Sequence, residues 1–96
     1  MKDKFINFSY EDFIPLLSDF TLEFSEFEKG DFGDLKRIEF ENKKKSGVID
    51  LWSSGWLGID VFTIPEYDQI MNIMFPPGEA SKNTVIGKLL EVLNEK

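Results

Sequence analysis

The chain has 96 residues, of which 42% are hydrophobic and 15% aromatic, enough apolar material for one domain with a real core and too much for a disordered chain. Eleven Lys and Arg against eighteen Asp and Glu leave a net charge of −7, which repels nucleic acid and anionic lipid at long range and attracts basic proteins. His and Cys are both absent, removing the commonest general base, the thiol nucleophile, the usual zinc ligands and any disulfide.

The first residues, Met1 to Asn7, lack the apolar stretch of a secretory signal, and no run approaches the ~20 apolar residues that span a bilayer. A cytoplasmic protein with no membrane contact is therefore expected. Between Ser9 and Asp34 stand eight carboxylates: Glu11, Asp12, Asp19, Glu23, Glu26, Glu28, Asp31 and Asp34. Lys29 is the one cation among them, so this stretch carries 1 − 8 = −7 and the remainder sums to zero. Ser9-Tyr10-Glu11-Asp12 suits a helix start, with Ser9 capping. Phe13, Leu17, Phe20, Phe24 and Phe27 recur at alternating spacings of 4 and 3, and Gly30 follows as a stop. The spacing predicts a helix over Tyr10–Glu28, which Pro15 should kink or delay. A rival reading lets Phe20, Leu22 and Phe24 alternate as a short strand; five matching positions favour the helix. On that helix Asp12, Asp19, Glu23 and Glu26 each precede an apolar seam residue and form one acidic stripe.

From Leu35 the period becomes two. Ile38 and Phe40 alternate with Arg37, Glu39 and Glu41 as a half-buried strand. Lys43 to Gly47 reads as a basic, Gly-terminated loop, and its three lysines as a solvated turn. Val48 to Trp52 and Trp56 to Thr63 are two further strands around Ser53-Ser54-Gly55. If Ile49 and Leu51 share the core face with Leu57, Ile59 and Val61, the loop must hold an odd number of residues. Three residues, with Gly55 left-handed, meet that condition. Val48 then pairs with Asp60, Asp50 with Gly58 and Trp52 with Trp56, all on the opposite face beside Phe62. Tyr67 to Phe75 has both strand and helix periodicity; Pro76-Pro77-Gly78 beyond it favours a strand. Ser81 or Asn83 can cap a last helix carrying Val85, Ile86, Leu89, Leu90 and Leu93. The expected architecture is α+β, a single two-layer domain: an antiparallel meander of about four strands under an N-terminal and a C-terminal helix.

Three features could bind something. The acidic stripe with Asp31 and Asp34 either meets a basic partner or is neutralised by Lys36, Arg37 and Lys43 to Lys45 folding back. Trp52 and Trp56, with Asp50 and Asp60, form either a second small core or an interface patch, since exposed Trp dominates interface energetics. The basic loop is the weakest of the three. No catalytic residue, cofactor motif or metal-ligand spacing stands out; Asp31-Phe32-Gly33-Asp34 lacks the pattern of a calcium loop.

The run Ile49-Asp50-Leu51-Trp52-Ser53-Ser54-Gly55-Trp56-Leu57-Gly58-Ile59-Asp60-Val61, followed by Ile70 to Pro76 and a leucine-rich terminal helix, resembles small immunity proteins. These belong to bacterial contact-dependent growth inhibition and related polymorphic toxin systems. The likeness runs from Leu35 to the C-terminus and rests on a hairpin pattern. It implies a cytoplasmic, non-enzymatic antidote that binds a cognate toxin domain, often a basic nuclease whose cationic cleft an acidic protein can occupy. It carries over no catalytic residues. From charge and exposure, the expected toxin-binding set is Asp19, Glu23, Glu26, Asp31, Asp34, Asp50, Trp52, Trp56 and Asp60. The alternative is an adaptor or structural subunit that forms homo-oligomers through the Trp52 and Trp56 face.

Overall fold

A computed structural model describes residues 8–30, 33–76 and 81–94 of the chain. The predicted N-terminal helix stops early. Helix α1 covers only Tyr10–Phe13 and passes into a 3₁₀ turn, Ile14–Leu17, with Pro15 in its opening positions. Ile14 before it keeps helical dihedrals, but proline donates no backbone hydrogen bond and its ring crowds the preceding turn, so a regular helix does not continue. At its start the Ser9 N–H donates to the Asp12 carboxylate at 2.9 Å, the contact that the third helical residue makes in a capping box. Phe13 and Leu17, the two positions that are helical, are both buried.

The residues read as the rest of that helix are instead strand β1, Thr21–Gly30. The sheet therefore has five antiparallel strands rather than about four: β1, then β2 (Gly33–Glu41), β3 (Lys45–Trp52), β4 (Leu57–Thr63) and β5 (Gln69–Phe75), paired strictly in sequence order. Helix α2, Lys82–Leu93, ends the described chain; the Ser81 Oγ accepts from the Thr84 N–H at 3.2 Å. Tyr67 to Phe75 resolves as strand from Gln69, after a turn that holds a cis Ile64–Pro65 bond.

Register follows the parity argument closely. Ile49 faces Ile59, Leu51 faces Leu57, Val48 faces Asp60 and Asp50 faces Gly58. The Trp52 N–H donates to the Trp56 carbonyl at 3.0 Å and closes a three-residue loop in which Gly55 has φ +103°. A side chain at that φ would be strained, which is why glycine stands there. On the other side, the basic loop is shorter than read. The tip is Asn42 to Lys44, with the Asn42 Oδ1 accepting from the Lys44 and Lys45 N–H groups at 2.8 Å, and Lys45 opens β3 as a buried residue.

One hydrophobic cluster holds both layers together. Ile38, Phe40, Ile49, Leu51, Leu57, Ile59, Val61 and Met71 line one sheet face, and Phe13, Leu17, Val85 and Leu89 cover it from the two helical segments. Each fully buried Leu, Ile or Phe contributes roughly 1.5–3 kcal/mol of transfer free energy. Phe20 packs edge-on against Phe40 at 5.1 Å between ring centroids, carrying the cluster to the β1 side. Since both helices sit on this face, the opposite face of the sheet is uncovered by any described element.

Candidate docking face

Strand alternation assigns every side chain of the open face. Paired residues point the same way across antiparallel strands, so the register writes the face in rows. Nearest the β3–β4 loop lie Phe27, Leu35 and Trp52. The next row is Ser25, Arg37, Asp50, Gly58 and Met74, and then Glu23, Glu39, Val48, Asp60 and Asn72. The last is Thr21, Glu41, Ser46, Phe62 and Gln69. Five carboxylates and one guanidinium thus share one surface.

Two of those carboxylates are satisfied within the chain. Arg37 Nε donates to Asp50 Oδ1 at 2.7 Å and its Nη2 to Oδ2 at 3.2 Å, a bidentate pair in which Asp50 is 14% exposed. The hydrogen bond to Asp50 is the largest cause raising the Arg37 pKa above its ordinary value, against the lowering effect of burial. The same guanidinium lies 5.6 Å from the centroid of the Phe27 ring. Asp60 accepts from the side-chain amides of Gln69 and Asn72. Glu23, Glu39 and Glu41 differ. All three are exposed and form no ion pair or side-chain hydrogen bond with a described residue. Glu23 stands directly opposite Glu39, and Glu41 lies two residues further along the same face. Like charges facing each other across strands destabilise a sheet.

These three acids border a broad groove of about 1010 Å³ lined also by Thr21, Val48, Phe62, Ile64 and Tyr67, with Lys43 as the one cation among its described lining residues. Tyr67 adopts φ +60°, unusual for a residue other than glycine, and is largely exposed at the groove's rim. Its N–H donates to the Thr63 carbonyl at 2.8 Å, which holds that turn closed.

The predicted site residues scatter. The stripe Asp12, Asp19, Glu23 and Glu26 does not exist, because a strand sends neighbouring odd and even positions to opposite faces. Glu23 is on the open face, whereas Glu26 is on the helix-bearing face opposite Lys36. Lys36 in turn sits 5.7 Å from the centroid of the Tyr10 ring. Asp19 is exposed in the turn before β1, Asp12 belongs to the α1 cap, and Asp31 lies outside the described residues. Asp34 is exposed at the start of β2, where its N–H donates to the Ser53 Oγ at 2.9 Å and its carbonyl accepts from the Ser53 N–H. Asp50, Trp52 and Asp60 do share the open face with Phe62, as the hairpin register required, and half-buried Trp56 follows the loop with the same parity. The Trp52 ring lies across Gly58, 3.3 Å from where a Cβ would stand.

Glu39 and Glu41 were not among the expected contacts. The signal was present: they alternate with the core residues Ile38 and Phe40, so they had to face away from it. Among the described residues no three carboxylates converge as metal ligands would, and no helix is long and apolar enough to cross a membrane. Compared with family models, curated proteins and solved structures, the chain shows no match.

Proposed function

We propose that this chain is a non-enzymatic inhibitor, an immunity-type protein that binds a basic toxin domain in the cytoplasm through the open face of its sheet. The observation that carries the reading is the Glu23–Glu39 pair with Glu41 beside it, exposed and in no ion pair with a described cation, although Arg37 acts on Glu39 at longer range. Such an arrangement weakens the isolated fold and strengthens contact with a cationic surface. A nuclease cleft shaped to hold phosphates presents that kind of surface, and carboxylates at strand spacing can stand in for the phosphates. Phe27, Trp52, Phe62 and Tyr67 add apolar and aromatic area around the acids, the composition that anchors interfaces. The resemblance of the Ile49–Val61 hairpin to immunity proteins agrees with this reading.

The test is binding of the purified chain to a small basic nuclease domain, to be sought at the end of an exported protein encoded in a neighbouring reading frame. Tight binding that weakens steeply with salt, and is lost when Glu23, Glu39 and Glu41 are reversed to Lys, is expected. Binding unaffected by that reversal overturns the docking-face assignment. A second reading draws on Phe27, Leu35, Trp52 and Met74 at one end of the same face: homo-oligomerisation of an adaptor. Sedimentation of the isolated chain separates the two, because a stable dimer indifferent to basic proteins supports only the adaptor.

A further inference from the structure

Strand β1 is an edge. It pairs with β2 on one side, and no described residue pairs with its other side. Its pairing with β2 is regular from Thr21 through Phe27, and the ladder slips only between Phe27 and Gly30. Edges of this length are ordinarily guarded against strand addition by proline, a bulge, charged side chains (lysine above all) or a covering element. Here the guards are three glutamates, which repel an acidic strand but not a basic one. From Thr21 to Glu28 there is no Pro, no Gly and no cation. Phe24 and Phe27 are each 49% exposed, one on either face of the sheet, so a further strand would cover both.

The charges on the edge say which strand fits. Glu23 points to the open face and Glu26 to the other, with Glu28 beyond, and none has an ion-pair partner among the described residues. Self-pairing of two copies would set three such carboxylates from each along one seam, which like-charge repulsion opposes. A cationic segment meets the opposite situation: its backbone completes the ladder while its side chains alternate onto Glu23 on one face and Glu26 on the other. We infer that β1 receives an extended, lysine- or arginine-bearing segment of the partner as a sixth strand. This rests on the reading of the partner as a basic protein, and it places Glu26, which the open face excludes, back in the contact.

The experiment uses the full chain, isotope-labelled, and two synthetic probes: a short peptide alternating Lys with Val and Thr, and the same peptide N-methylated at alternate residues. Methylation keeps charge and removes the donors that strand addition needs. The expected result is slowed amide exchange over Thr21–Glu28 with the unmodified peptide and at least about tenfold weaker binding of the methylated one. Equal binding of both overturns strand addition and leaves an electrostatic docking face standing. Binding of neither at millimolar concentration also overturns it. The docking-face reading would fall separately, if the chain with Glu23, Glu39 and Glu41 reversed still bound the basic domain.

Discussion

Replacing Glu39 should make the isolated protein more stable, an unusual expectation for a surface strand residue. Glu39 faces Glu23 on β1 and Val48 on β3, with Glu41 two residues along on the same face. Opposed side chains on antiparallel strands stand about 5 Å apart, and a cross-strand pair of charges is worth roughly 0.2–1 kcal/mol of either sign. Glu39→Gln removes the repulsion along with a weaker attraction to Arg37, two residues away on the same face. Glu39→Lys also adds an attraction to Glu23, offset in part by repulsion from Arg37. Gains of a few tenths for Gln and about 1 kcal/mol for Lys follow, the latter raising the melting temperature by roughly 4–8 °C in a domain of this size. Thermal unfolding at low ionic strength measures it, and about 1 M salt should shrink the gain because screening then acts within ~3 Å. Equal or lower stability of both variants at low salt would refute the claim that these glutamates are uncompensated.

The glycines of β3 and α2 should respond oppositely to alanine. A Cβ at Gly47 would stand 2.3 Å from the Phe40 ring and 2.5 Å from the Asp60 carbonyl, so Gly47→Ala should cost roughly 1–3 kcal/mol in urea unfolding. Nothing lies within 4 Å of the same atom at Gly87, and Gly87→Ala should gain about 0.5–1 kcal/mol from helix propensity. Phe13→Ala removes a fully buried ring from beneath the short N-terminal helix and should cost about 3–5 kcal/mol by the same assay. Burial, and then the nearby Glu26 charge, raise the Tyr10 pKa above 10.0, favouring the neutral phenol in the folded state. The folded chain then holds its proton at pH values where the unfolded chain has released it, so stability falls as pH rises above about 10. Tyr10→Phe should flatten that fall between about pH 9 and pH 11.

What could be read from the sequence followed from strict alternation. The β3–β4 register, the three-residue loop and the left-handed Gly55 all came from keeping five apolar residues on one face. The last helix was equally plain, with Ser81 ahead of Val85 and Leu89 at helical spacing. The segment from Tyr10 to Glu28 was misread because two short elements of different period lie end to end. Phe13 and Leu17 belong to helical turns, Phe20 to the bend after them, Phe24 to one face of a strand and Phe27 to its other face; strung together they imitate a single seam. Pro15 and the alternation of Leu22 with Phe24 held the contrary information. Burial decides between the readings, since a helical seam would have hidden Phe24 and Phe27, and both are half exposed. The acidic surface consequently moved from a helix to the sheet, losing Asp12, Asp19 and Glu26 and gaining Glu39 and Glu41. Which acids remain unmatched depends on side-chain geometry that spacing does not carry. Asp50 is claimed by Arg37, and Asp60 by Gln69 and Asn72.

Carboxylate footprinting of the chain, alone and bound to the basic domain, tests the docking face most directly. Carbodiimide-driven labelling should mark Glu23, Glu39 and Glu41 in the free protein and spare them in the complex. Glu11 on α1 and Glu91 on α2, exposed in the other layer, should react equally in both. Protection of Glu11 and Glu91 with continued labelling of Glu23, Glu39 and Glu41 would put the partner on the helices and contradict the account.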